Sequence, residues 1–169
     1  GEPTPYGWPS RSSYFGIIDL AGFPKDVYYL YQSEWTDKPV LHIYPHWNWK
    51  DGQLVDVIAY SNCHEVELFL NDSSLGTKKK GEDELHLMWR LPFKPGTMRA
   101  VGRSNGQKVL ETVMNTAGEP AKLTLKSDRI NIKADGADLA FITVEVRDKD
   151  GNLVPDAGNL VNFNIDGQA

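Results

Sequence analysis

Pro45-His46-Trp47-Asn48-Trp49, with the turn Lys50-Asp51-Gly52 behind it and runs of strand character at residues 53–60 and 65–70, decides the fold of this chain. In the second run Val66, Leu68 and Leu70 alternate with Glu65 and Glu67. That period of two describes a strand with one buried and one wet face. From residue 40 onward the pattern is β throughout; only the segment before it reads as helical.

Upstream, Pro3, Pro5, Gly7 and Pro9 interrupt any regular pattern, and Tyr14-Phe15-Gly16-Ile17-Ile18 reads as a short buried strand or packed loop. A helix is predicted over residues 24–35, with Pro24 in its first turn and Asp26 near its positive end. Val27, Tyr31 and Trp35, four apart, would form its apolar stripe. Thr36-Asp37-Lys38-Pro39 closes it.

Downstream, Leu85, Leu87, Trp89 and Leu91 alternate with His86, Met88 and Arg90. Residues 97–103 and 108–115 read as strands joined through Asn105-Gly106, a pair favoured in two-residue hairpin turns. Seven short strands by residue 116 predict an immunoglobulin-like β-sandwich. A linker at residues 116–120 leads to apolar pairs at Leu123/Leu125, Ile130/Ile132, Ile142/Val144/Val146 and Val161/Phe163/Ile165. These amount to about four strands, so the second domain reads as truncated. The expected organisation is therefore residues 1–38 as a loop plus helix, 39–117 as a sandwich, and 118–169 as a partial second immunoglobulin-like domain.

Composition narrows the functional classes. Net charge is −5, with a pI near 5.3, which disfavours nucleic acid. No apolar run has the length of a membrane span. The single Cys63 cannot form an internal disulfide. The start at Gly1-Glu2-Pro3, without methionine, reads as a processed chain or a cut fragment.

Each candidate site has a plain alternative. His42 and His46, with His64 and His86, raise a zinc site, but no second cysteine or carboxylate cluster accompanies them; ordinary polar histidines are the better reading. Asp148-Lys149-Asp150-Gly151-Asn152 opens like a calcium loop, yet Leu153 and Asn159 break the pattern, leaving a hairpin turn. Cys63 beside His64 lacks an orienting third group for a thiol nucleophile. Lys78-Lys79-Lys80 reads as a solvated loop. Asn71-Asp72-Ser73 fits a glycosylation sequon. Tyr6, Trp8, Trp47 and Trp49 form either a sugar-stacking platform or the seal of a domain joint, and the joint is the favoured reading for Trp47 and Trp49.

Gly1-Glu2-Pro3-Thr4-Pro5-Tyr6 and the stretch from Trp8-Pro9-Ser10 through Asp19-Leu20-Ala21-Gly22-Phe23-Pro24 resemble the close of the catalytic barrel in bacterial glycoside hydrolase family 2, among its β-galactosidase-like members. Pro45-His46-Trp47-Asn48-Trp49, Tyr60-Ser61-Asn62 and Glu67-Leu68-Phe69-Leu70-Asn71, with Ser74-Leu75-Gly76, look like the sandwich that follows that barrel. Residues 120–167 are similar to part of a further immunoglobulin-like domain.

The resemblance implies a parent that hydrolyses β-glycosidic bonds with retention, using two glutamates about 5 Å apart. Neither has a counterpart here: the chain holds no Asn-Glu pair, and Glu2, Asp19 and Asp26 match neither position. The expectation is a non-catalytic fragment, without cofactor or metal, whose sandwiches brace the barrel. Its partner would be carbohydrate, through the parent, and the truncated domain would either dock on the first sandwich or, the favoured reading, self-associate. The expected compartment is extracytoplasmic, periplasmic or secreted, in a bacterium. A stand-alone carbohydrate-binding or adhesion module is the alternative.

Overall fold

The computed structural model describes residues 15–164 and 166. They divide between two compact units that part at Asn115 and Thr116. Among the described residues no helix is long and apolar enough to cross a membrane.

In the first unit helix α1 (Asp26–Trp35) precedes strands β1 (Leu41–Tyr44), β2 (Leu54–Ser61), β3 (Glu65–Leu70), β4 (Ser73–Lys78), β5 (Leu87–Pro92), β6 (Thr97–Ser104) and β7 (Gln107–Asn115). They build two antiparallel sheets, ordered β1-β2-β5 and β4-β3-β6-β7. This is a mainly β, immunoglobulin-like sandwich with no closed barrel. Alternation builds it: Val55, Val57 and Ala59 from β2 and Leu87, Trp89 and Leu91 from β5 meet Val66 and Leu68 from β3 and Met98 and Ala100 from β6. Removing these side chains from water is the main stabilising term, at roughly 25 cal/mol per Å² of apolar surface.

The turns follow local chemistry. Asn105 (φ 53°) and Gly106 (φ 75°) both occupy the left-handed region, as the hairpin between β6 and β7 requires. Asn71 (φ 50°) and Asp72 (φ 64°) do the same between β3 and β4. Short polar side chains tolerate that conformation, so the apparent sequon is a hairpin turn.

The helix departs from expectation in two ways. It starts at Asp26, because Pro24 is held in an isolated antiparallel bridge with Ile18. Its docked face carries Tyr29 and buried Ser33, while Tyr31 and Trp35 pack on each other in solvent, Trp35 being 78% exposed. The stripe spaced by four exists, but it faces away from the sandwich. Phe15 and Ile18, expected in a buried strand or packed loop, are also exposed.

Asn62 ties the helix exit to the sandwich. Its Nδ2 donates to the carbonyls of Thr36 (2.9 Å) and Lys38 (2.8 Å), and its Oδ1 accepts from the Val40 amide (2.7 Å). One side chain thus fixes the residues between α1 and β1. Lys80 adds an ion pair with Glu34 of α1.

In the second unit β8 (Lys122–Ser127) pairs antiparallel with β9 (Ile142–Arg147), Leu123 opposite Val146 and Leu125 opposite Val144. Residues 130–132 and 161–164, expected as strands, are irregular. Ile130 is 94% exposed and Phe163 73%. Apolar alternation favours a strand only where a second layer covers it, and among the described residues of the unit nothing covers Ile130 or Phe163.

Candidate functional site

The outer face of the three-stranded sheet carries a continuous aromatic row. Period two places His42 and Tyr44 of β1 and Tyr60 of β2 on that face, and the antiparallel register sets His42 opposite Tyr60. Tyr29 of α1 stacks on His42 at 3.9 Å between ring centroids, and Asp26 Oδ1 lies 2.8 Å from His42 Nε2. His42 stacks toward Tyr44 at 5.9 Å. The Tyr44 hydroxyl donates to that of Tyr60 at 2.6 Å. Burial, then the Tyr60 hydrogen bond, raises the Tyr44 phenol above its ordinary pKa. His86 meets Tyr60 edge-on at 6.5 Å and ends the row. Further along the face Asp56 and Arg90, directly opposite on β2 and β5, form a two-pronged pair at 2.6 and 2.7 Å; the Arg90 hydrogen bond holds Asp56 below the usual carboxylate range.

Beside His86 opens a groove of about 620 Å³, the size of a small-molecule site. It lies where the outer strands of the two sheets, β4 and β5, come together. Lys78, at the end of β4, donates to the Met88 carbonyl of β5 at 2.6 Å and lies over the Trp89 ring, closing the back of the opening. Lys79, Asp83, Glu84, Leu85, His86 and Met88 line the rest.

The candidates read from sequence are scattered. Tyr6 and Trp8 lie outside the described residues. Trp47 is inside the sandwich, 1% exposed, edge-on to Phe93 and donating from Nε1 to the Lys94 carbonyl at 3.0 Å. Trp49 is half-buried against the same core; it stacks on His46 at 4.7 Å and donates to the His46 carbonyl at 2.7 Å. α1 meets the sheet through Tyr29, stacked on His42.

The histidines do not converge: His64 takes the Asn105 amide on its Nδ1, far along the chain from His42 and His46. Among the described residues no three His, Cys, Asp or Glu side chains gather as a metal site. Cys63 is buried, its Sγ 3.9 Å from the Val40 carbonyl, while neighbouring His64 is exposed.

Asp148 is buried and spends its oxygens within its own turn and on the Gly118 amide (2.9 Å). The amides of Asp150 (3.0 Å) and Asn152 (2.8 Å) and the Asn152 Nδ2 (3.0 Å) complete the set. The Gly118 amide, then the Asn152 side chain, holds this carboxyl well below its ordinary pKa. The stretch that opens like a calcium loop is a self-satisfied turn.

Sequence reasoning missed three elements: the aromatic row, the Asn62 clamp and the groove. Only the row left a signal, the alternation of His42 and Tyr44 with Leu41 and Ile43, whereas the spacing of His42 and His46 points toward metal rather than a sheet face.

Residues 123–169 match the glycoside hydrolase family 2 C-terminal domain 5, and residues 52–110 match a domain of unknown function (DUF4982). The chain is 61% identical over 168 residues to the β-galactosidase BoGH2A of Bacteroides ovatus, covering 99% of this chain and 20% of that protein. This is a glycoside hydrolase family 2 C-terminal region. A putative β-glucuronidase of Formosa agariphila is 40% identical to this family 2 region over 166 residues, covering 95% of it and 16% of the relative. In solved structures, a β-glycosidase from Bacteroides vulgatus superposes with a TM-score of 0.82 at 41% identity, over 88% of the family 2 region and 19% of the neighbour. The chain thus spans about a fifth of the length of such relatives.

Proposed function

We propose that the chain is a non-catalytic part of a retaining β-glycosidase of the β-galactosidase-like kind, in which the sandwich and α1 brace a catalytic barrel supplied by the parent. The observation that carries this reading is the 61% identity to a β-galactosidase across 99% of the chain and only 20% of the enzyme. The exposed Tyr31–Trp35 pair and the exposed Phe15, Leu20 and Phe23 support it, since they leave apolar side chains on and before α1 for a barrel to cover. The substrate of the parent is a β-linked sugar.

Two measurements test this. The chain alone should release no chromophore from a nitrophenyl β-galactoside. A parent enzyme whose Trp35 is replaced by Asp should lose thermal stability and activity together. Hydrolysis by the chain alone, abolished by removing one of its carboxylates, would overturn the reading.

A periplasmic or secreted compartment and self-association through residues 116–169 belong to the same proposal. A leader peptide on the parent and its recovery outside the cytoplasm would test the first. Exposed Leu125, Ile130, Leu160 and Phe163, with the open edge of β8, support the second. Sedimentation should give concentration-dependent association of the chain that disappears when residues 116–169 are removed.

A further inference from the structure

The groove between the edges of β4 and β5 is not used by anything described above, and its chemistry is specific. We propose that it is a binding site for a neutral glycan chain; the ligand class rests on the carbohydrate reading above.

Four observations meet there. First, the groove has the volume of a ligand site, about 620 Å³, and it lies at the connection between β4 and β5. Second, its polar groups are available. Asp83 has no hydrogen bond or ion pair among the described residues, and His86 has only its ring contact with Tyr60. Lys79 has a single loose ion pair, 3.7 Å from Glu65, and is 74% exposed. A free carboxylate accepts hydrogen bonds from sugar hydroxyls, and an ammonium donates to them.

Third, Leu85 and Met88 are exposed beside these groups, and the His86 ring stands with them. An apolar floor flanked by a few polar groups is the composition that holds the C–H face of a sugar and orients its hydroxyls. Behind His86, Tyr60 accepts from Tyr44, so its own hydroxyl proton has no acceptor among the described residues. It extends the row of donors next to the groove.

Fourth, charge selects a neutral ligand. Asp83 and Glu84 set two carboxylates against the Lys78 and Lys79 ammonium groups, and Lys78 is turned to the Met88 carbonyl and the Trp89 ring. The lining therefore carries no net positive charge to hold a uronate or phosphate, and its two carboxylates would repel one.

The test is a titration of the full chain with a neutral β-linked galactotetraose, followed by backbone amide shifts. Residues 83–88 should show saturable shifts, with weak, millimolar affinity. Asp83→Ala and His86→Ala, both at exposed positions, should each weaken binding about fivefold, the worth of one hydrogen bond. Lys108→Ala, on β7 of the other sheet, should leave it unchanged. Unchanged melting temperatures of the groove variants would exclude unfolding as the cause. Lack of saturable shifts, equal affinity in all three variants, or tighter binding of a glucuronate tetrasaccharide would each overturn the proposal. None of these results bears on whether Trp35→Asp disables the parent, so the two readings fail separately.

Discussion

The side chain of Asn71 occupies the place where a Cβ on residue 96 would stand: Asn71 Oδ1 lies 1.8 Å from that position. Gly96 has φ 143°, and beside it Asn71 Oδ1 accepts from the Thr97 amide (2.9 Å) while Nδ2 donates to the Pro95 carbonyl (3.1 Å). The β3–β4 turn thus grips the loop entering β6 through a gap that only glycine leaves. Gly96→Ala should expel Asn71 and cost about 2–4 kcal/mol, from two lost hydrogen bonds and backbone strain. In a double-mutant cycle, adding Asn71→Ala should cost much less on the Gly96→Ala background than on the wild type. Strict additivity in urea melts would show that the two residues are independent. The same hydrogen bond occupies the amide nitrogen that glycosylation would need.

The two central tryptophans should separate sharply. Trp47→Ala empties a fully buried site and leaves the Lys94 carbonyl without its donor, for about 3–5 kcal/mol. Trp49→Ala removes a half-buried ring and a local hydrogen bond, for about 1–2 kcal/mol. Equal losses in chemical denaturation would contradict the burial difference.

Asn62→Ala removes three hydrogen bonds that hold residues 36–40, at about 1–3 kcal/mol altogether because the site is only partly buried. The loss should be local. Amides of α1 and β1 should exchange faster, while those of β3 and β6 keep their protection. Uniform acceleration across the sandwich would mean that Asn62 supports the whole core instead.

Asp148 makes the second unit acid-sensitive. Its folded pKa is depressed, so its stabilisation is present above the unfolded value of about 3.9 and is lost as pH falls below that toward the folded value. Thermal melts of the second unit should therefore drop steeply below about pH 4 in the wild type. Asp148→Asn should melt lower at neutral pH and show a shallower acid slope. Parallel pH profiles for the two proteins would remove Asp148 as the cause.

The sandwich core and its hairpins were legible because they depend on local periodicity. Val66 and Leu68 alternate, Leu87, Trp89 and Leu91 alternate, and Asn105-Gly106 adopts the left-handed pair its residue types prefer. The reading failed where a face had two choices of partner. Val27, Tyr31 and Trp35 carry the clearer apolar stripe, yet the helix docks through Tyr29 and Ser33, because Asp26 and Tyr29 engage His42 from β1. Ile130 and Phe163 likewise lie in alternating runs without becoming strands, since no second layer among the described residues of the unit covers them.

By itself, then, the amino-acid order determined the two sheets, their turns and the family resemblance, all of which rest on spacings of a few residues. Tertiary structure alone decided that Asn62 clamps residues 36–40, that Asn71 fills the gap at Gly96, and that Lys78 of β4 reaches the Met88 carbonyl of β5 beside the groove. Each of these depends on how strands from opposite sheets, or residues more than twenty positions apart, are brought together by burial of the common core. No local propensity encodes that distance.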